Sequence, residues 1–144
     1  FQIVATDVSA PALMLAMSGR YDAISMRRGF SANYDAFRQL YFTHSSTVSI
    51  LGSEIRDRVT FKRHSLQDPF GDLGVFDLVL MRYVTIYFAS DFKQKLWPRV
   101  CAALRPRGLL LLGAAETLLE HGMNLEIERI DRAYFYRNNC GGLP

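Results

Sequence analysis

The chain has 144 residues, the size of one ordinary domain, and 49% of them are apolar, enough material for a core. With 22% charged residues and a formal net charge of +3, the composition excludes a disordered chain, and runs such as Gly108 to Ala115 are far too short to cross a bilayer, so no membrane insertion is expected. Two cysteines, Cys101 and Cys140, stand far apart with no CxxC spacing, which indicates neither a disulfide framework nor a zinc cluster and makes the cytoplasm the expected compartment.

Phe1 to Ala5 is a short apolar run of strand type followed by Thr6 and Asp7; it lacks an initiator Met and a basic segment, and reads as the middle of something longer. Ser9 offers an N-cap, Pro11 fits a first helical turn, Leu13, Met14, Ala16 and Met17 supply an apolar face, and Gly19 stops the helix. Residues 21 to 30 are mixed, with Arg27-Arg28-Gly29 as a break, and Ser31 opens a second helix carrying Tyr34, Phe37, Leu40 and Tyr41. Residues 43 to 50 read as loop or weak strand, Val59 and Phe61 as a strand ending near His64, and Gln67-Asp68-Pro69 as a turn.

Val75 to Met81, VFDLVLM, has the pattern of a central strand buried on both faces. Ser90 caps a helix with Phe92, Leu96, Val100 and Leu104 at four-residue spacing, which Pro98 should kink or split. Arg105-Pro106-Arg107-Gly108 ends it before a buried strand, Leu109 to Leu112. Alternation at Leu125 to Arg129 and a β-type run at Ala133 to Arg137 predict a closing antiparallel hairpin. Between Arg20 and Arg63 basic residues outnumber acids, but no run exceeds two, so a solvated face is favoured over a nucleic-acid surface.

This order of elements predicts an α/β fold with a doubly wound, mostly parallel sheet. Such sheets bind ligands beyond the carboxyl ends of their strands, which singles out Asp7, His64 to Leu66, Arg82 to Tyr87 and Gly113 to Glu116. Asp7 has the chemistry to accept both hydroxyl protons of a ribose, and equally that of a helix cap. Arg82 suits bidentate binding of a carboxylate, and Tyr87 carries a donating phenol, although on residues alone a core aromatic is the commoner use. Ser65 and Leu66 either meet a base or only shape their turn, and Glu116 reads most simply as a helix-entry acid. No GxSxG, HExxH or phosphate-loop sequence occurs, and His44, His64 and His121 lack metal-ligand spacing.

VATD at 4–7, the helix and YF segment to Phe42, VTFKRHSL at 59–66, FDLVLMRYVTIYF at 76–88 and LRPRGLLLLGAAE at 104–116 follow one another in a distinctive order. This resembles the CheR-type chemotaxis methyltransferases, S-adenosylmethionine-dependent enzymes that esterify receptor glutamates. The resemblance implies that residues 1–144 form part of a Rossmann-like methyltransferase domain lacking its first strand and glycine-rich loop, with self-association through unpaired sheet edges as one consequence. It places the ribose-binding acid at Asp7, the adenine-side pair at Ser65 and Leu66, the pair after the central strand at Arg82 and Tyr83, and the tyrosine assisting methyl transfer at Tyr87. Ser65 and Tyr83 each stand where the family has Asn, and Gly113-Ala114-Ala115-Glu116 replaces Gly-His-Ser-Glu. The implied reaction is displacement, a receptor glutamate attacking the sulfonium methyl, with a chemoreceptor-like protein as partner and no nucleic acid. The other reading is a binding module that contacts a receptor or signalling partner without turnover.

Overall fold

The computed structural model describes residues 1–29, 34–118, 123 and 125–139; Ser31, His121 and Cys140 lie outside them. Two units are formed, Phe1–Ser65 and Leu66–Pro144. In the first, strand β1 (Ile3–Asp7) leads into helix α1 (Ala10–Ser18). Ser9 caps α1 through its hydroxyl, which accepts from Ala12 N at 3.3 Å, and Gly19 ends it in the left-handed region at φ 63°. Both boundaries follow the expected signals, but of the expected apolar face only Leu13 is buried, while Met14 and Met17 are exposed.

The mixed segment after Gly19 is ordered, and Arg27-Arg28-Gly29, expected as a break, closes a helix. The segment forms β2 (Arg20–Asp22) and helix α2 (Ala23–Gly29), the Asp22 carboxylate accepting from Ser25 N at 2.6 Å and so starting the helix. Helix α3 (Asp35–Tyr41) follows, then β3 (Phe42–His44) and β4 (Val48–Leu51), and β2, β4 and β3 make a three-stranded antiparallel sheet. A short helix α4 (Ser53–Arg56) precedes β5 (Val59–Arg63), which pairs in parallel with β1, Asp7 opposite Arg63. Several of the basic side chains here have structural duties: Arg56 donates to Ser18 O, and Arg63 to Val8 O, both at 3.1 Å.

The second unit is a four-stranded sheet in the order β6 (Phe76–Met81), β7 (Leu104–Leu112), β9 (Ala133–Asn138), β8 (Leu125–Ile130). β6 runs parallel to β7, and the β8–β9 hairpin is antiparallel as expected. Helix α5 (Ser90–Ala102) packs Leu96, Trp97 and Val100 against Met81, Leu110 and Leu112. Burial of such side chains contributes roughly 1.5–3 kcal/mol each.

Several expectations for this unit are corrected. β6 is not buried on both faces: Val79 and Met81 turn towards the core, whereas Leu78 and Leu80 on the opposite face are 47% and 64% exposed. Alternation along a strand sends neighbours to opposite faces, and α5 covers one of them. Ser90 is the first helical residue, with Ala89 at the cap and no side-chain capping bond. Pro98 does not split the helix, which continues to Ala102, and Leu104 belongs to β7. β7 itself starts earlier than expected, because the Arg105–Gly108 segment is an irregularity between the Phe76–Leu104 and Leu78–Leu109 pairings.

Asn138 ties the sheet to the helix end. Its buried side-chain amide donates to Leu104 O at 3.1 Å and to Cys101 O and Arg105 O at 3.3 Å. No described helix is long and apolar enough to cross a membrane.

Candidate active site

Each candidate residue stands at or just beyond the carboxyl end of a parallel strand. Asp7, the last residue of β1, is exposed and its Oδ1 accepts from Ser9 N at 2.8 Å. The carboxylate therefore takes part in the turn into α1, one of the two roles open to it, and a carboxylate with about four acceptor sites retains capacity beyond that bond. Ser65 closes the first unit and Leu66 opens the second, where it is half-buried against the core.

After β6, residues Arg82 to Phe88 form a loop ending in a 3-10 turn, Thr85–Tyr87. The Arg82 guanidinium lies 5.2 Å from the centre of the Tyr83 ring, and its Nη2 donates to the Tyr83 hydroxyl at 3.4 Å. Tyr83 is in the left-handed region at φ 58°, which few non-glycine residues adopt. Tyr87 and Phe88 divide sharply. Phe88 packs edge-on against Phe92 at 4.7 Å and joins the core, whereas Tyr87 is 80% exposed. The commoner use of such an aromatic, as core, does not apply to Tyr87.

Glu116 has another use than helix entry, with neither Thr117 nor Leu118 in a helix. It lies in the turn after β7 and its carboxylate turns back to the β6 loop, accepting from the backbone N–H groups of Tyr83, Val84 and Thr85 at 2.7, 3.0 and 2.7 Å. The Thr85 hydroxyl at 2.6 Å and Gly113 N at 2.8 Å complete the set. Burial alone would raise its pKa, but the Thr85 hydroxyl and the N–H groups of Tyr83, Gly113 and Thr85 together hold it below the ordinary glutamate value. Sequence reasoning missed this contact because its partners stand 31 to 33 positions upstream. The one cue is an acid in the short turn that follows a strand end.

Thus Arg82, Tyr83 and Tyr87 share one loop, with Leu66 in the same unit, while Asp7 and Ser65 belong to the other. Two surface depressions of the first unit, lined by Asp35, Arg38 and His44 and by Met26, Arg27 and Ser49 among others, include none of the six. Among the described residues no cluster of His, Cys, Asp and Glu has the makings of a metal site.

Polar and aromatic residues at the ends of parallel strands, present in each unit, suit an α/β binder of a nucleotide-type cofactor. Residues 1–134 match the family model described as CheR methyltransferase, SAM binding domain, and the chain belongs to that family. Among its relatives, chemotaxis protein methyltransferase 1 of Pseudomonas aeruginosa is 38% identical over 81% of this chain and 42% of the relative. Chemotaxis protein methyltransferase 1 of Vibrio cholerae is 32% identical over 94% of the chain and 48% of the relative. Chemotaxis protein methyltransferase Cher2 of Pseudomonas putida is 38% identical over 81% and 42%. The chain spans about half the length, or slightly less, of the curated relatives it matches.

Proposed function

We propose that this chain carries part of the active site of a cytoplasmic protein-glutamate O-methyltransferase that uses S-adenosylmethionine to esterify glutamates of a chemoreceptor-like protein. When bound, that cofactor supplies a sulfonium methyl open to displacement by a carboxylate. The donor set suits it: Asp7 would hold ribose hydroxyls with acceptor capacity its turn does not use, Ser65 and Leu66 would flank the adenine, and Arg82 and Tyr83 would line the rim. Displacement by a carboxylate needs little proton transfer, so the protein's part is to orient the nucleophile and exclude other geometries. Tyr87 would orient the attacking carboxylate through its phenol.

The observation that carries this reading is the exposure of Tyr87 on a loop beyond the end of β6. Tyr87→Phe keeps the ring and removes the oxygen. In the protein at its natural length we expect kcat to fall on the order of a hundredfold, with cofactor affinity nearly constant, as for loss of one preorganised donor. Full turnover with unchanged thermal stability would remove Tyr87 from the mechanism. Binding of receptor peptide without turnover by the unaltered protein would favour the binding-module reading instead.

We further propose that β1 and β6 belong to one doubly wound sheet, with a strand from outside this chain between them. Each pairs on one edge only among the described residues, and Leu78 and Leu80 stand exposed. On its own the chain should then self-associate through those edges, which sedimentation at increasing concentration reads directly as a rising mass.

A further inference from the structure

The loop that presents Tyr87 is held from a distance. A strand end followed by a short 3-10 turn leaves N–H groups without a repeating partner. Here three consecutive ones, on Tyr83, Val84 and Thr85, converge on the Glu116 carboxylate with the Thr85 hydroxyl. Tyr83 keeps its φ of 58° inside this clamp, a conformation that persists only where the surroundings impose it. On the other side, a Cβ at Gly113 would lie 2.7 Å from Glu116 Oε2 and 3.0 Å from Tyr83 N, so the backbone passes through a gap that only glycine leaves.

The turn that carries Tyr87 is built directly on the clamped residues: Tyr87 N donates to Val84 O at 3.4 Å, and Phe88 N to Thr85 O at 3.1 Å. Phe88 then anchors the far end on Phe92. Between two fixed ends, Tyr87 points outward.

We propose that Glu116 is a positioning residue for methyl transfer, fixing the backbone of Tyr83 to Thr85 so that Tyr87 is offered in one orientation. The proposal rests on the reading of Tyr87 given above. Glu116 does not itself take up a ligand, because five donors already fill a carboxylate with about four acceptor sites.

Glu116→Gln keeps the size and one acceptor oxygen but turns an NH2 towards groups that need acceptors. Amide exchange in the protein at its natural length reads the clamp without activity. The amides of Tyr83, Val84 and Thr85 should exchange at least about tenfold faster in the variant, with those of β7 unchanged. Unaltered exchange in the loop overturns the clamp and leaves the reading of Tyr87 standing. In the activity assay, kcat should fall about tenfold or more, cofactor Kd should stay within about threefold, and Glu116→Gln added to Tyr87→Phe should cost little beyond the loss from Tyr87→Phe alone. Independent, multiplying losses in the double variant overturn the proposal, because Glu116 then does not act through Tyr87. Full turnover by Tyr87→Phe alone, with the loop amides still released by Glu116→Gln, overturns the reading of Tyr87 and the positioning role with it. Should Glu116→Gln fail to fold, Thr85→Val removes only the hydroxyl donor. Its expected loss is smaller, about two- to fivefold in kcat, and again does not multiply with Tyr87→Phe.

Discussion

Two parallel strands end in carboxylate-bearing arrangements that work in opposite ways. Beyond β1, Asp7 reaches only to Ser9, two residues on, at the surface, and one bond leaves most of its acceptor capacity open. Beyond β6, the loop is organised by Glu116, which is spent on five donors. A carboxylate with capacity to spare suits a ligand, and a saturated one suits a scaffold. The settings differ too: the β6 loop stands on a core built around Trp97, Leu96 and Leu110, whereas Leu13 and Met26 are the buried apolar side chains described in the first unit.

The largest test of this contrast concerns the cores. Leu110 is fully buried beneath α5, so Leu110→Ala should destabilise the second unit by ~3–5 kcal/mol. Leu13 is the one buried side chain of α1 and lies at the margin of its unit, 9% exposed, so Leu13→Ala should cost less, ~2 kcal/mol. Denaturant melts followed by amide exchange in each unit separate the two. Equal losses would mean that the first unit has a core as demanding as the second.

Next comes Asn138, whose amide serves three carbonyls at the junction of α5 and β7. Asn138→Ala strands those acceptors in a buried place and should cost ~1–3 kcal/mol, read as a lowered midpoint in urea. A change within measurement error would show that the hairpin holds to β7 by its backbone alone.

How much of this was legible in the sequence follows the same division between local and distant. Ser9 and Gly19 announced the limits of α1, because a cap acts on residues within a turn of it. The β8–β9 hairpin was plain from alternation, since its partners adjoin in sequence. The apolar run of β6 marked a strand but not which face would be covered, because that depends on where α5 lies. Helix α2 was hidden by Arg27-Arg28-Gly29, and its start rests on Asp22, an acid with no apolar periodicity after it. The exposed place of Tyr87 beside half-buried Phe88 and the clamp from Glu116 depend on pairings across the fold, and no spacing rule contains them.

A smaller pair of effects sharpens the reading of the first strand end. Ser9→Ala removes the cap on Ala12 N and should cost ~1 kcal/mol. Asp7→Asn retains an oxygen for Ser9 N and should cost under ~0.5 kcal/mol, within the range of surface changes. In the protein at its natural length, however, it should weaken S-adenosylmethionine binding about tenfold, because one ribose acceptor is lost. If Asp7→Asn matches Ser9→Ala in stability and leaves cofactor affinity untouched, the carboxylate is a cap alone.

The smallest expected effect tests the second strand end through pH. Glu116 is only partly shielded from water, so its contribution to stability is moderated by solvent. The direction is nevertheless definite. Hydrogen bonds that favour the charged form leave the folded pKa below the ordinary 4.5, so the unfolded chain binds this proton first on acidification. The stabilisation is present in full above that ordinary value and is lost as pH falls through the lower, folded one. Protonation places a hydrogen on a carboxylate that five donors need as an acceptor, so the loop should loosen as a unit. Nuclear magnetic resonance of the amide protons of Tyr83, Val84, Thr85 and Gly113, followed from about pH 7 down to about pH 2, should show one shared midpoint below 4.5. Glu116→Gln should abolish that common step. Four unrelated midpoints, or a shared one above the ordinary value, would mean that the loop is held by Phe88 and its turn, with Glu116 resting against it.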